Sequence, residues 1–199
     1  MLYRQEYQLE LLNEYLVTKN ANEHGLKKIM QLEQIASGDD HLCLVYSKYE
    51  MTLSEYRSTH YDPRSLPLIF AQVIQGVEEL HSLGFIHRAL TPDHIVLNRD
   101  PLDVRLISFT LSFPNSQSTH GAITQDSIYS YGKKEWYDGS EEWDHLALGV
   151  MIMECDLPIG SLLGVSKYED LCLRAQEYVS KEGVCTELKT IVQQLILPK

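Results

Sequence analysis

The chain has 199 residues, 44% of them hydrophobic and 23% charged, with a formal net charge of −11 and a pI near 5.1. That length suits one domain around a single core, and the acidic balance speaks against general affinity for nucleic acid or an anionic membrane surface. Four dispersed cysteines, Cys43, Cys155, Cys172 and Cys185, have no zinc-site spacing and read as free thiols of a reducing compartment, two of them in apolar runs where burial is expected. The N-terminus has no signal-type apolar stretch and no run reaches the ~18 residues of a membrane span, so the expected location is cytoplasmic.

In chain order, residues 2–20 predict a helix with Leu9, Leu12 and Leu16 on one face, and Gly25 breaks it. Residues 29–35 and 41–46 read as two strands joined by the turn-forming SGDD at 37–40. A short helix is expected over 52–58 and a long one over 66–83, where Ile69, Val73, Val77 and Leu80 recur at spacings of three and four before Gly84. Residues 95–97 and 104–107 suggest a small hairpin across NRDPLD, and 112–140 is polar and mostly loop. The stretch 143–154, apolar nearly all round, predicts a buried central helix, followed by helices near 167–181 and 186–196.

The segment FIHRALTPDHIVLN at 85–98 carries the most chemical information. It resembles the catalytic loop of eukaryotic protein kinases, whose pattern is H-R-D-x-x-x-x-N. His87 and Arg88 keep that pattern, while Ala89 stands at the catalytic Asp and His94 at the Mg²⁺-binding Asn. HRALTP is also similar to the loop of TBC-domain-containing pseudokinases, which carry the same Asp-to-Ala change. Three further stretches resemble the family in the right order: residues 39–49 the last N-lobe strands and hinge, 72–88 the helix entering the catalytic loop, and 144–154 the central C-lobe helix. The resemblance implies an α+β, protein kinase-like fold over residues 1–199. Its reduced N-lobe, 1–48, would hold one helix and about two strands. Its mainly helical C-lobe, 49–199, would lack the final helix. It further implies structural tasks for Asp144, bonded to the His87 and Arg88 backbone, and for His87 and Phe109, stacked between the lobes.

Several departures bear on activity. Ser108-Phe109-Thr110 stands where kinases carry D-F-G, and neither a neutral hydroxyl nor the His94 nitrogen suits a hard oxygen-seeking ion. No glycine-rich loop or V-A-I-K lysine is found, and the leucine spacing puts Gln8 or Glu6 where the lysine-pairing Glu would stand. Tyr46 falls at the gatekeeper, Asp93 at the Glu of K-P-E-N, and Asp103 in a turn; Glu135 matches A-P-E only poorly. An alanine methyl cannot accept a proton, and general-base help is worth about 10²–10⁴-fold.

The expectation is therefore a pseudokinase that is no enzyme and uses no cofactor or metal, its catalytic positions being degenerate. It would act as a protein-binding scaffold or complex subunit, with a protein partner or second copy covering the unpaired N-lobe edge. An allosteric modulator or decoy of an active kinase is the alternative, and a divergent nucleotide-binding kinase a more distant one. His81 reads as a surface residue; Trp136 and Trp143 are candidate anchors, at least one of them interior, and Ser54 and Thr91 ordinary solvated positions.

Overall fold

A computed structural model describes residues 2–37, 42–114 and 140–198. Helix α1 (Leu2–Glu23) runs into a turn at Gly25, whose φ of +64° suits a residue without a Cβ. Its inward side chains are Val17, Thr18 and Ala21, whereas Leu12 is exposed. Of the leucines expected on that face, Leu12 is thus exposed and Leu16 half-buried, while the Leu9 side chain lies outside the described residues.

Strands β1 (Leu32–Ser37) and β2 (Leu42–Tyr46) pair antiparallel with a register shift between Leu32 and Gln34. The first strand starts later than expected. Residues 28–30 instead lie along β6 (Leu102–Leu106), Met30 N–H donating to Leu106 O at 3.0 Å and Leu106 N–H to Lys28 O at 2.8 Å. The expected turn at 37–40 lies largely outside the described residues. Of the four cysteines, two of which were expected to be buried, Cys155 is buried, which pushes its thiol up to about 12, Cys172 and Cys185 are half-buried, and Cys43 is exposed on this hairpin.

Strand β3 (Met51–Thr52) leads into α2 (Leu53–Thr59), where Thr52 and Glu55 form a reciprocal capping box. Helix α3 (Leu66–Ser82) buries Ile69, Val73, Val77 and Leu80, the stripe read from sequence, together with Leu66 and Phe70. The short strand β4 (Phe85–Ile86) pairs with β7 (Phe113–Pro114). Strand β5 (Ile95–Arg99) pairs with both β3 and β6, giving a three-stranded sheet that lies against α3. Gly76 makes this close approach possible, because a Cβ there would stand 2.9 Å from Leu106 Cγ.

Helix α4 (Glu142–Asp156) is the hub, with Trp143, Leu146, Val150, Met151, Ile152 and Met153 all buried. Helices α5 (Tyr168–Ser180) and α6 (Thr186–Ile196) follow, and α6 crosses α4 at Gly149. A Cβ at Gly149 would meet Ile196 Cγ1 at 2.6 Å, so Gly149→Val is expected to cost about 1–3 kcal/mol through overpacking. Urea unfolding followed by circular dichroism measures this; an unchanged midpoint would mean the two helices part freely. Together these elements form the α+β, kinase-like architecture that the resemblance implies.

Candidate functional site

The loop 85–94 is held from beneath by one carboxylate. Asp144, fully buried at the start of α4, accepts the His87 N–H at 2.7 Å and the Arg88 N–H at 2.9 Å. The Oδ2 that takes the His87 N–H also lies 2.8 Å from His81 Nε2, so His81 is a largely buried partner of this carboxylate and not the surface residue expected. Arg88 takes a φ of +66°, which a non-glycine residue adopts at a cost, and the paired N–H bonds to Asp144 keep it there.

His87 is fully buried. Its Nε2 is 3.0 Å from the Ile107 carbonyl and its Nδ1 accepts the Ala89 N–H at 3.3 Å, which sets the proton on Nε2. Burial pushes its pKa down to about 4, against the pull of the Asp144 charge and with help from neighbouring His94. The Phe109 ring, also fully buried, lies 5.2 Å from the His87 ring.

The three altered positions converge on this loop. Ala89 presents only its methyl group and backbone. His94 Nδ1 lies 2.6 Å from Ala89 O, so the imidazole closes the loop on itself as a donor to that carbonyl. Its own backbone continues the tie, accepting from Ile107 N–H at 3.0 Å. Ser108 has a φ of +67°. Mg²⁺, the ion that the resemblance implies, asks for about six oxygen ligands in octahedral geometry. A nitrogen ring tied to a carbonyl and a neutral hydroxyl do not fit it.

Sequence reasoning missed the residue that α1 contributes. Glu14 Oε2 accepts the Phe109 N–H, its Oε1 accepts Tyr46 O–H at 3.3 Å, and Asn13 Nδ2 donates to Thr110 O at 3.0 Å. Burial raises the Glu14 pKa, outweighing these hydrogen bonds and the charge of His94, and it raises that of Tyr46 as well. Thus Glu14 is an α1 carboxylate that reaches Ser108-Phe109-Thr110; the side chains of Glu6 and Gln8 lie outside the described ones. The available signal was spacing: Glu14 precedes Val17 by three and Thr18 by four, on the buried side.

The remaining candidates disperse. Asp103 sits in β6 and not in a turn, with Lys28 Nζ at 3.1 Å, Tyr49 O–H at 2.6 Å and Arg105 Nε at 3.3 Å. Burial would raise its pKa, but these partners hold it below the usual carboxylate range. Asp93 is exposed at a cleft of about 280 Å³ shared with Arg57, Thr91 and Glu154. Trp143 is buried, whereas Trp136 and Glu135 lie outside the described residues. Among the described residues no group of three or more His, Cys, Asp or Glu could hold a metal, and no helix is long and apolar enough to cross a membrane.

The family model described as protein kinase domain matches residues 3–158. A probable serine/threonine-protein kinase clkA of Dictyostelium discoideum is 29% identical over 118 residues, 56% of this chain and 12% of its own length. The mitogen-activated protein kinase p38a of Drosophila melanogaster is 28% identical over 92 residues, 45% of this chain and 22% of its own. Homeodomain-interacting protein kinase 1 of Mus musculus is 28% identical over 203 aligned residues, covering 92% of this chain and 16% of that protein. The chain thus spans less than a quarter of the length of each of these relatives. These matches overturn the expectation that the chain is no enzyme: the family and the named relatives are kinases, which points to a kinase enzyme.

Proposed function

This chain belongs to the protein kinase domain family, and from that premise we propose that it works by binding protein, as a scaffold or structural subunit of a larger complex. The β1–β2 hairpin carries this reading. It is a two-stranded sheet whose outer edges have no strand partner among the described residues. From Glu33 to Ser37 every residue of β1 is exposed, and the apolar side chains of Ile35 and Val45 face solvent. A lone hairpin is marginal in water, and an open edge offers its N–H and C=O groups to an added strand. Strand addition from a partner would satisfy both needs.

The loop around Ala89 supports the same reading, because its polar groups are turned inward. His87, His94 and Asp144 spend their hydrogen bonds on backbone atoms and on His81, a use that makes the loop rigid. The test is recovery of the tagged full chain from its native source, with light scattering and mass spectrometry on each fraction. A stoichiometric protein partner is expected, released by Ile35→Lys together with Val45→Lys. A monodisperse, partner-free chain in every fraction defeats the reading. Where the partner is itself an active kinase, the role is that of a modulator or decoy.

A second reading, a divergent nucleotide-binding kinase, is favoured by the family match and by the kinase relatives. A ligand that binds only the folded chain raises its stability, by about 2.7 kcal/mol at a hundred times its dissociation constant. A melting shift with ATP and Mg²⁺, followed by transfer of label to a protein substrate, would establish it. An unmoved melting curve at saturating nucleotide would remove it.

A further inference from the structure

The chain enters the β1–β2 hairpin through residues 28–30 and leaves it through residues 47–50, and the two flanks are held in different ways. The entering flank is fixed through its backbone: Met30 N–H donates to Leu106 O, Leu106 N–H to Lys28 O, and Lys28 N–H to Glu79 Oε2 at 2.7 Å. The leaving flank belongs to no strand, and side chains hold it instead. Tyr49 O–H donates to Asp103 Oδ2 at 2.6 Å, and Glu50 N–H donates to Asn98 Oδ1 at 2.9 Å. Glu50 is also paired with Arg99, but both side chains are exposed and such a pair contributes little.

Asp103 joins the two flanks. Its Oδ1 takes Lys28 Nζ at 3.1 Å from the entering side, while its Oδ2 takes the Tyr49 hydroxyl from the leaving side. Arg105 closes the group, with Nε 3.3 Å from Oδ2 and its guanidinium carbon 5.5 Å from the centre of the Tyr49 ring. Burial, and then the bond to Asp103, raise the Tyr49 pKa, so the phenol stays a donor through the neutral range. The group is only partly shielded, the Lys28 and Asp103 side chains being 16% and 29% accessible. Charge-assisted bonds in such a place are stronger than surface pairs, yet they can open without unfolding the core. The hairpin above them is a two-stranded sheet with little stability of its own. We propose that Asp103 is a latch at the base of the hairpin. Closed, it ties the leaving flank to Lys28 and fixes the direction in which the open strand edge points. Released, it lets residues 47–50 hinge about the fixed residues 28–30. This does not rest on the scaffold reading, because the motion is read on the free chain.

The test is hydrogen exchange of the full chain at neutral pH, followed amide by amide by NMR. Asp103→Asn and Tyr49→Phe are each expected to speed exchange of the Glu50 N–H and of the β2 amides about tenfold, with the amides of α4 unchanged. Tyr49→Phe removes only a hydroxyl, so the test stands even where Asp103→Asn does not fold. Lys28→Met is the sharper variant, because Lys28 bonds to no residue of 47–50 and reaches them only through Asp103. It should speed Glu50 exchange about threefold or more. Unchanged exchange at Glu50 in Tyr49→Phe overturns the proposal, and so does an effect of Lys28→Met confined to residues 28–30. Acceleration spread evenly over α3 and α4 would make Asp103 an ordinary stabilising contact and overturn it equally.

Discussion

Replacing Asp144 with alanine is expected to remove about 3–5 kcal/mol of stability, enough to bring the fold near its threshold. Three donors converge on this one buried carboxylate: the N–H groups of His87 and Arg88 and the ring of His81. His87 is fully buried and the His81 side chain is only 9% accessible, so these two donors have little access to water, while Arg88 is half-buried. Each buried donor left without a partner costs about 1–3 kcal/mol. Arg88 would also lose the bond that holds its backbone at positive φ. Asp144→Asn should fall between wild type and alanine, because an amide offers one acceptor oxygen and turns a second donor toward an N–H. Urea titrations of the three proteins measure the series. A loss below about 1 kcal/mol for the alanine variant would mean that the loop finds other acceptors, and the account of Asp144 as its anchor would be wrong.

The helical half of this molecule was legible because its helices bury faces that repeat at helical spacing. Ile69, Val73, Val77 and Leu80 fix α3, the all-apolar run at 143–154 fixes α4, and residues 186–196 coincide with α6. The start of the first strand was not legible. Ile29 is as apolar as a strand residue should be, but it pairs with Leu106 across 77 positions of sequence, a partner that periodicity does not encode. The altered residues Ala89, His94 and Ser108 could be read from pattern alone. What they do instead could not: the bond from His94 to the Ala89 carbonyl and the grip of Glu14 on Phe109 N–H both depend on tertiary approach. Glu14 was missed for a general reason. A carboxylate is assigned to the solvent face of a helix by default, and only the buried Phe109 N–H, 95 residues away, makes its burial worthwhile. His81 was misplaced in the same way, its partner lying 63 residues on.

Acid should destabilise this fold earlier than carboxylate titration alone would, and His87 is the reason. Its pKa falls from the ordinary 6.5 to about 4 in the folded chain, chiefly because burial disfavours the imidazolium. A depressed histidine binds its proton more readily when the chain is unfolded. Stability is therefore constant above the unfolded value, and falls by about 1.4 kcal/mol per pH unit from 6.5 down to the folded value. The total loss is about 3 kcal/mol once both states are protonated. His145, also lowered by burial and by the charge of His81, adds in the same direction. Glu14 and Glu154 oppose it, since burial raises both and the folded chain then holds protons that the unfolded chain releases. The Asp144 charge and His94 are the groups acting on His87 itself, and the pull of Asp144 is already outweighed. His87→Gln keeps an amide donor for the Ile107 carbonyl and removes the titration. The variant should start less stable at neutral pH but show a flatter slope between pH 4 and 6.5, by about one proton. Denaturant midpoints collected across that range decide the matter. Parallel slopes for the two proteins would show that the buried ring takes up its proton without cost, and that the packing of His87 against Phe109 is looser than the 5.2 Å separation of their rings implies.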